Sequence, residues 1–525
     1  MASFFAATAA RRAHHILPSI LAASAVVGSN RLVATTTGCE QEVPRRAVNI
    51  KTRMTSIGRF SMESETSANP SIPTFFISLV GAKPFTKEDF CSLWRAKGIG
   101  ERHARFHQAV TQGTHFTPTN KRVEAHVNEV GFPAIPRLDL AYRIAKYLTL
   151  PMDLASSLWQ VDVMSGPLGR SGAISRLRTA QLQQANPNAV ETLLLFRSHH
   201  AMADGVSLIS AVTELCDEWE DLQLQIKAEL KKRRGKAKTL LQKLKALLQK
   251  VLWFWAGSIR AWLYQINLLW NTSKNPFEIV RELSAPSTGR TLSWCEVTTV
   301  EEVKTVAAAF GEKVTINDIW VSCVAYAVSR QLHDHRRRLG FGGTEHATIN
   351  VVIPVHLQGG MLLPGQSLGN RIGAFAARIP GEDGTGSISA GQRLKQTHNS
   401  LYMIKQTPAA LLAYLTAHVL GGILPSSWTQ HVFRRANANS CAAVTNVKNA
   451  PYKLHIQGVP IEGVAGFLPL PPGIPIGVAV QSYAGNMHLS VTAEEYAVPE
   501  ADLFLGWMVE EYQRLLEEAN NRRAK

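Results

Sequence analysis

The stretch Thr192–Ser210, TLLLFRSHHAMADGVSLIS, decides how the rest of the chain is read. Its apolar run Leu193-Leu194-Leu195-Phe196 is short and gives way to polar residues, the pattern of a buried strand. His199 and His200 follow, then Asp204-Gly205, then a helical run through Val206, Leu208 and Ile209. A strand ending in a histidine pair, with a turn that Gly205 makes possible, projects imidazole from the rim of a rigid sheet. Imidazole has an ordinary pKa of about 6.5 and can take a proton near neutrality. Asp204, four residues past His200, either fixes the turn or orients the ring. By spacing alone, the same residues also describe two surface histidines or two hydrogen-bonded core histidines.

Size and composition narrow the setting. A chain of 525 residues is too long for one ordinary core, so two domains are expected. Apolar residues at 45% suffice for globular packing. The six cysteines have no C-x-x-C spacing, which argues against zinc and against a disulfide scaffold and predicts free thiols. The formal charge of +16 is concentrated, since Ile226 to Arg260 holds eleven Lys/Arg against one acid, Glu229. Such a patch suits an anionic surface. No zinc finger, helix-turn-helix or RNA-binding pattern accompanies it, which favours membrane over nucleic acid.

The first 39 residues contain no acid, and Arg11-Arg12 precede an alanine-rich segment, Ile16 to Gly28, too short to span a bilayer. That composition fits a signal or transit peptide and equally a tail without an address. Residues 40–71 read as a linker, and the fold is expected to begin near Ile72 with a strand at Thr74 to Val80. A helix at Phe85 to Arg95 is opened by Thr86. Leu240, Leu241, Leu244, Leu247, Leu248, Val251, Leu252 and Trp255 recur at helical spacing, with lysines between them. Val251 to Trp270 has the length of a span, but Arg260, Gln265 and Asn267 interrupt it. A mid-span charge costs roughly 2.5–3.5 kcal/mol, so an interfacial helix accounts for these residues at less cost. The other reading is an interdomain helix packed on the core. Farther on, the pattern predicts a helix at Val300 to Phe310 and another at Ile319 to Leu332, capped by Thr315 or Asn317. It predicts strands at Ile349 to Leu357 and Ile372 to Ile379, and a buried helix at Ala409 to Leu424. A hairpin is expected to turn at Ala484-Gly485-Asn486 before a closing helix, Leu503 to Leu516.

The element His199-His200-x-x-x-Asp204-Gly205 resembles the signature of the coenzyme A-dependent acyltransferase superfamily. Further motifs follow the pattern of one branch, the wax ester synthase/diacylglycerol acyltransferase family. They are Pro151-Met152-Asp153-Leu154 before Leu158-Trp159, Asn317-Asp318, Pro354-Val355-His356-Leu357, Gly369-Asn370, Thr445-Asn446-Val447 and Ser482-Tyr483. Met152 and Ser157 replace the family's Leu and Pro, and Lys448 and Asn449 replace its Pro and Gly. The resemblance covers residues 72–520. It implies an α/β fold of two chloramphenicol acetyltransferase-like domains, with an active-site channel between them. The division is then 72–215 for the first domain, 216–286 for a basic, aromatic connecting segment, and 287–520 for the second domain.

The activity implied is transfer of a fatty acyl group from acyl-CoA to the hydroxyl of diacylglycerol or a long-chain alcohol. His200 is then the general base, His199 supports it, and Asp204 holds the motif loop. Gly205, Asn317, Asp318, Gly369 and Asn370 are motif residues with structural roles. No metal and no cofactor is implied, acyl-CoA being a co-substrate. The partners implied are acyl-CoA, the acceptor lipid and a membrane surface at the endoplasmic reticulum or a lipid droplet, without nucleic acid. A condensation domain would need a carrier domain, for which the chain leaves no room. A plant-type alcohol acyltransferase would carry an Asp-Phe-Gly-Trp-Gly segment, which is absent. The remaining alternative is a catalytically silent lipid- or acyl-CoA-binding protein.

Overall fold

The computed structural model describes residues 51–524, apart from 67–68, 112, 133, 135–136, 235–239, 271–274, 285–288, 341–347, 358–365, 367, 382–387 and 424. The candidate targeting segment, residues 1–39, lies outside the described residues, as do the side chains of Lys231, Lys232, Lys236, Lys238 and Lys243.

The first half runs through β1 (Thr52–Arg53), α1 (Ser56–Ser64), β2 (Thr74–Gly81), α2 (Lys87–Ala96), β3 (Gln108–Thr111), β4 (His115–Pro118) and β5 (Val127–Glu129). It continues with α3 (Leu138–Thr149), β6 (Trp159–Pro167), β7 (Val190–Ser198) and α4 (Gly205–Thr213). The apolar run Leu193 to Phe196 lies in β7, a central strand with β2 and β6 antiparallel on either side. Its side chains alternate between two cores. Leu193 and Leu195 meet Phe76 and the α3 residues Leu140 and Ile144, while Leu194 and Phe196 meet Phe90, Trp94 and the α4 residue Leu208. A strand covered on both faces has no polar positions to alternate with, hence the unbroken apolar run. Thr86 opens α2 through a capping box with Asp89.

The second half holds α5 (Trp219–Arg234), α6 (Leu240–Trp270), β8 (Arg290–Thr299), α7 (Val300–Phe310), α8 (Ile316–Leu339), β9 (Thr348–His356) and β10 (Ile372–Pro380). Then come α9 (Ala390–Lys405), α10 (Ala409–Ile423), α11 (Ser426–Asn437), β11 (Ala442–Lys448), β12 (His455–Ile456), β13 (Val459–Phe467), β14 (Ile476–Tyr483), β15 (Asn486–Glu494) and α12 (Ala501–Arg523). Its sheet has the order β10-β9-β11-β14-β15-β8. Helix α8 is buried on nearly every side, as the central helix of a core must be. Thr315, not Asn317, is its N-cap, paired with Asp318 in a capping box. The β14–β15 turn places Ala484 and Gly485 at φ of 48° and 83°, the two positive values a tight hairpin asks for.

Three features depart from the sequence reading. Residues 51–71 are not a linker, because Met54 and Ile57 are buried and Phe60 meets Phe433 of α11 edge-on at 4.7 Å. Among the described residues, folded structure is already present at Thr52, ahead of Ile72. Second, the halves exchange chain, since β12 and β13 leave the second half and β13 pairs antiparallel with β2. The first sheet therefore has the order β12-β13-β2-β7-β6-β5. Third, Gly205 is not needed by the turn, because its φ lies outside the left-handed region.

Helix α6 is one continuous element of 31 residues. Gln265 Nε2 donates to Ala376 O (3.2 Å), and Arg378 N–H donates to Tyr264 Oη (2.9 Å), so α6 covers the open polar edge of β10. Gly257, Ala261 and Leu268 are buried on that side. The approach is close, for a Cβ at Gly257 would stand 2.7 Å from Pro408. Leu252, Trp255, Ile259, Trp262 and Leu263 are exposed on the other side. Among the described residues, no helix is long and apolar enough to cross a membrane.

Candidate active site

Strand β7 stops at Ser198, and the histidine pair follows in the turn before α4. The two imidazoles have different surroundings. His199 is buried, with Nε2 at 3.0 and 3.1 Å from the two Glu65 carboxylate oxygens. Its Nδ1 accepts from Ala201 N–H (3.1 Å), so Nε2 carries the proton and donates to Glu65. Every polar atom of that ring is satisfied, and the ring is fixed. Glu65 also accepts from Ser71 N–H (2.9 Å), and Ser71 O accepts from His200 N–H (2.8 Å). One carboxylate thus holds the first histidine and, through Ser71, the backbone of the second.

His200 has the opposite character. Its Nδ1 is buried and has no hydrogen-bond partner among the described residues. Burial pushes its pKa below the ordinary histidine value, and the charge of Asp204 only partly opposes this. A neutral imidazole keeps one basic ring nitrogen and can accept a proton near neutrality. Asn370 Nδ2 donates to His200 O (2.8 Å), while Asn370 Oδ1 is itself buried without a partner among the described residues.

Asp204 is fully buried and joins the halves. Its Oδ1 accepts from Ser207 N–H (2.7 Å), capping α4, and its Oδ2 accepts from Arg371 N–H (2.7 Å) of the second half. Gly369 O accepts from Asp204 N–H (3.2 Å) and from Ser207 Oγ (2.9 Å). The Asp204-Gly205 and Gly369-Asn370 motifs, 165 residues apart in sequence, are therefore one polar junction. His356 joins it from the end of β9, with Nε2 3.9 Å from Asp204 Oδ2. Burial lowers the His356 pKa; Asp204 opposes this and Arg371 adds to it. Arg105 lies over the Phe116 ring at 3.7 Å, and burial with the charge of Arg371 pulls its pKa down to about 10.

The junction thus brings together His199, His200, Asp204, Gly205, Gly369 and Asn370. Asn317 and Asp318 have other partners. Asn317 Oδ1 accepts from Asn446 Nδ2, which puts two of the sequence motifs side by side. Asp318 accepts from Lys405 Nζ (2.6 Å) and His398 Nδ1 (3.0 Å). Burial would raise its pKa, but Lys405 and His398 outweigh burial and hold the carboxyl below its ordinary value. That is a brace between α8 and α9. Sequence reasoning missed Glu65, which sat in the supposed linker, and gave no role to His356, although the motif containing it was noted.

The comparisons with known proteins bear on this arrangement. Residues 368–516 match the model of the WS/DGAT C-terminal domain. Comparison with curated proteins finds no match. Among solved structures, the wax ester synthase/diacylglycerol acyltransferase from Marinobacter aquaeolei VT8 is similar at a TM-score of 0.55 and 14% identity, covering 89% of this chain and 100% of that one. The trichothecene 15-O-acetyltransferase from Fusarium sporotrichioides is similar at a TM-score of 0.57 and 11% identity, covering 89% of this chain and 95% of that one. The starter condensation domain of rhizomide synthetase, solved in complex with C8-CoA, is similar at a TM-score of 0.50 and 11% identity, covering 90% and 95%. The two-domain acyltransferase fold expected from the motifs is the fold these proteins share.

Proposed function

We propose that this chain, whose residues 368–516 match the WS/DGAT C-terminal domain, acts as a member of the wax ester synthase/diacylglycerol acyltransferase family and moves a fatty acyl group from acyl-CoA to the hydroxyl of diacylglycerol or a long-chain alcohol. The observation that carries the reading is the unequal pair, with both ring nitrogens of His199 engaged and His200 kept neutral by burial at the Asp204–Asn370 junction.

In this reading His200 takes the proton of the acceptor hydroxyl as its oxygen attacks the thioester carbonyl. The tetrahedral oxyanion collapses, the C–S bond breaks, and the leaving coenzyme A sulfur takes the proton back from the His200 imidazolium, which regenerates the base. The net change is one ester formed and one thiol released. A thioester is already activated, so no covalent enzyme intermediate is required. His199, Glu65 and Asp204 position the base, and Asp204 has its oxygens committed to backbone N–H groups. A catalytically silent binder finds no support in the comparisons.

The acceptor and product are apolar, and a lipid surface is the natural place to meet them. What supports that partner is α6. It buries small residues, Gly257 and Ala261, and turns Trp255, Ile259, Trp262 and Leu263 outward, beside exposed Lys245 and Arg260. Large apolar side chains next to cations suit an interfacial helix on anionic lipid. The deciding assay offers labelled palmitoyl-CoA to dioleoylglycerol and hexadecanol side by side. Ester formation with either acceptor is the expected result, and formation of neither overturns the reading.

A further inference from the structure

The turn that leaves α1 serves two neighbours. Glu65 and Ser71 hold the histidine pair, while Thr66 and Asn69, between them in sequence, line a separate hollow of about 430 Å³. Arg281 of the short helix Phe277–Leu283, Arg290 at the start of β8 and Arg434 in the last turn of α11 line it as well, with Glu278 and Glu494. Acyl transfer as derived above uses none of these charged side chains.

Arg290 is the most informative of them. Its side chain is only 4% exposed, yet the carboxylate facing it, Glu494, stands at 3.6 Å, beyond hydrogen-bond reach. Its Nη2 donates to Asn69 Oδ1 (3.0 Å) and its Nη1 to Gly289 O (3.4 Å), both neutral acceptors. A buried cation is costly unless a counter-charge is hydrogen-bonded to it. Burial accordingly pulls the Arg290 pKa down, and Glu494 only partly opposes this. Arg281 is no better matched, with Glu278 at 3.5 Å, and Arg434 has no ion pair among the described residues. Three guanidiniums therefore meet two carboxylates, and no ion pair among them is shorter than 3.5 Å.

The amides around them are already committed. Asn69 Nδ2 donates to Leu470 O (2.8 Å) and Asn275 Nδ2 to Ser440 O (2.8 Å), so both frame the hollow. A planar guanidinium fork matches the oxygens of a phosphate, and a carboxylate accepts from hydroxyls. The volume falls within the range of small-molecule sites, with room for a phosphate on a sugar-sized body.

We propose that this hollow binds a phosphate ester of a small polyol, its phosphate on Arg281, Arg290 and Arg434 and its hydroxyls on Glu278 and Glu494. The same chemistry is offered by a free glycerol or sugar phosphate and by the phosphorylated ribose of coenzyme A.

The experiment titrates the full chain, in buffer free of phosphate, with glycerol phosphate, ribose phosphate, coenzyme A and dephospho-coenzyme A. Inorganic phosphate and unphosphorylated ribose are the controls. Binding is read by calorimetry and by the rise in Tm, and ester formation from palmitoyl-CoA is followed in parallel. Saturable binding of at least one ester is expected, tighter than inorganic phosphate, with none for ribose. Arg281→Gln and Arg434→Gln, both exposed, should fold as the parent does and each weaken that binding by at least about tenfold, the loss expected for one charge-assisted contact. Arg290→Gln joins them if it folds, and the two exposed variants decide the matter if it does not. Binding of the free polyol phosphates with an unchanged KM for palmitoyl-CoA assigns the site to a separate ligand. Tighter binding of coenzyme A than of its dephospho form, with KM for palmitoyl-CoA raised in both variants, assigns it to the co-substrate. Saturation by none of the esters, affinities that both variants leave unaltered, or inorganic phosphate binding as tightly as its esters overturns the proposal. Ester formation without binding of any of these compounds removes the site and leaves the acyltransferase reading intact, and binding without ester formation does the reverse.

Discussion

The junction around Asp204 and the helix α6 break the same rule in opposite directions. The junction places imidazoles, a carboxylate and an amide in the interior, while α6 places tryptophan, leucine and isoleucine on the outside. Apolar residues inside and polar residues outside is the ordinary arrangement, so the two exceptions carry the information. In each case the departure is organised. Asp204 is satisfied on both oxygens and His199 on both nitrogens, while His200 Nδ1 and Asn370 Oδ1 are buried without a hydrogen-bond partner among the described residues. On α6, Gly257, Ala261, Tyr264 and Leu268 face the protein, while Leu252, Trp255, Ile259, Trp262 and Leu263 face out, so most of its large apolar side chains turn away from β10. In the proposed reading, buried polarity serves the acyl transfer and exposed apolarity serves a lipid surface.

The sharpest way to break this contrast is His200→Ala. Turnover should fall by about 10²–10⁴-fold with the fold retained, because only proton transfer is lost. His199→Ala should cost less rate but more stability, since it strands the Glu65 carboxylate. Equal, mild rate losses in both would remove the distinction between the two rings. The pH profile sharpens the same point. A lowered His200 pKa means the base is protonated only below the ordinary value, so kcat/KM should be flat near neutrality and fall on acidification with a midpoint below about 6.5.

Asp204→Ala removes a helix cap and a bond across the halves together, and should lower stability by roughly 2–4 kcal/mol in urea unfolding. A variant that is fully stable but inactive would instead give the carboxylate a chemical role. On the apolar side, replacing Trp255, Trp262 and Leu263 by serine should leave Tm nearly unchanged and weaken sedimentation with anionic vesicles by on the order of 10²-fold. Undiminished vesicle binding would show that α6 faces something other than lipid. Gly205→Ala is the finest probe. At an ordinary φ and with open space around the new methyl group, it should add about 0.4–1 kcal/mol of stability and leave the junction around Asp204 intact.

Much of this was legible in the sequence, and the exceptions share a cause. The run Leu193 to Phe196, the Thr86 cap and the Ala484-Gly485 turn are decided by neighbours in sequence and appear as expected, and of the two candidate caps Thr315 and Asn317 the structure uses Thr315. The clamp on Asp204 comes from the backbone of Arg371, 167 residues away, and a peptide N–H leaves no trace in residue identity. Glu65 lies 134 residues from His199 in a stretch that otherwise reads as polar linker. The motif pairs Asp204-Gly205 and Gly369-Asn370 could be seen one by one, but their contact could not. Periodicity showed α6 to be a helix. Which face turned inward depended on Gly257 fitting against Pro408, a matter of shape rather than hydropathy.

The exchange of β13 onto β2 has a consequence for how the protein is made. Strand β2 ends at Gly81, and its outer partner begins at Val459, 378 residues later. At about 5–20 residues per second, a ribosome leaves that edge unpaired for roughly 20–75 seconds. During that interval Phe75, Phe76 and Ile77 border an open row of backbone donors and acceptors, a template for pairing with another nascent chain. The first sheet cannot be finished before β12 and β13 of the second half are synthesised, so a chain interrupted ahead of residue 459 keeps that edge of β2 open.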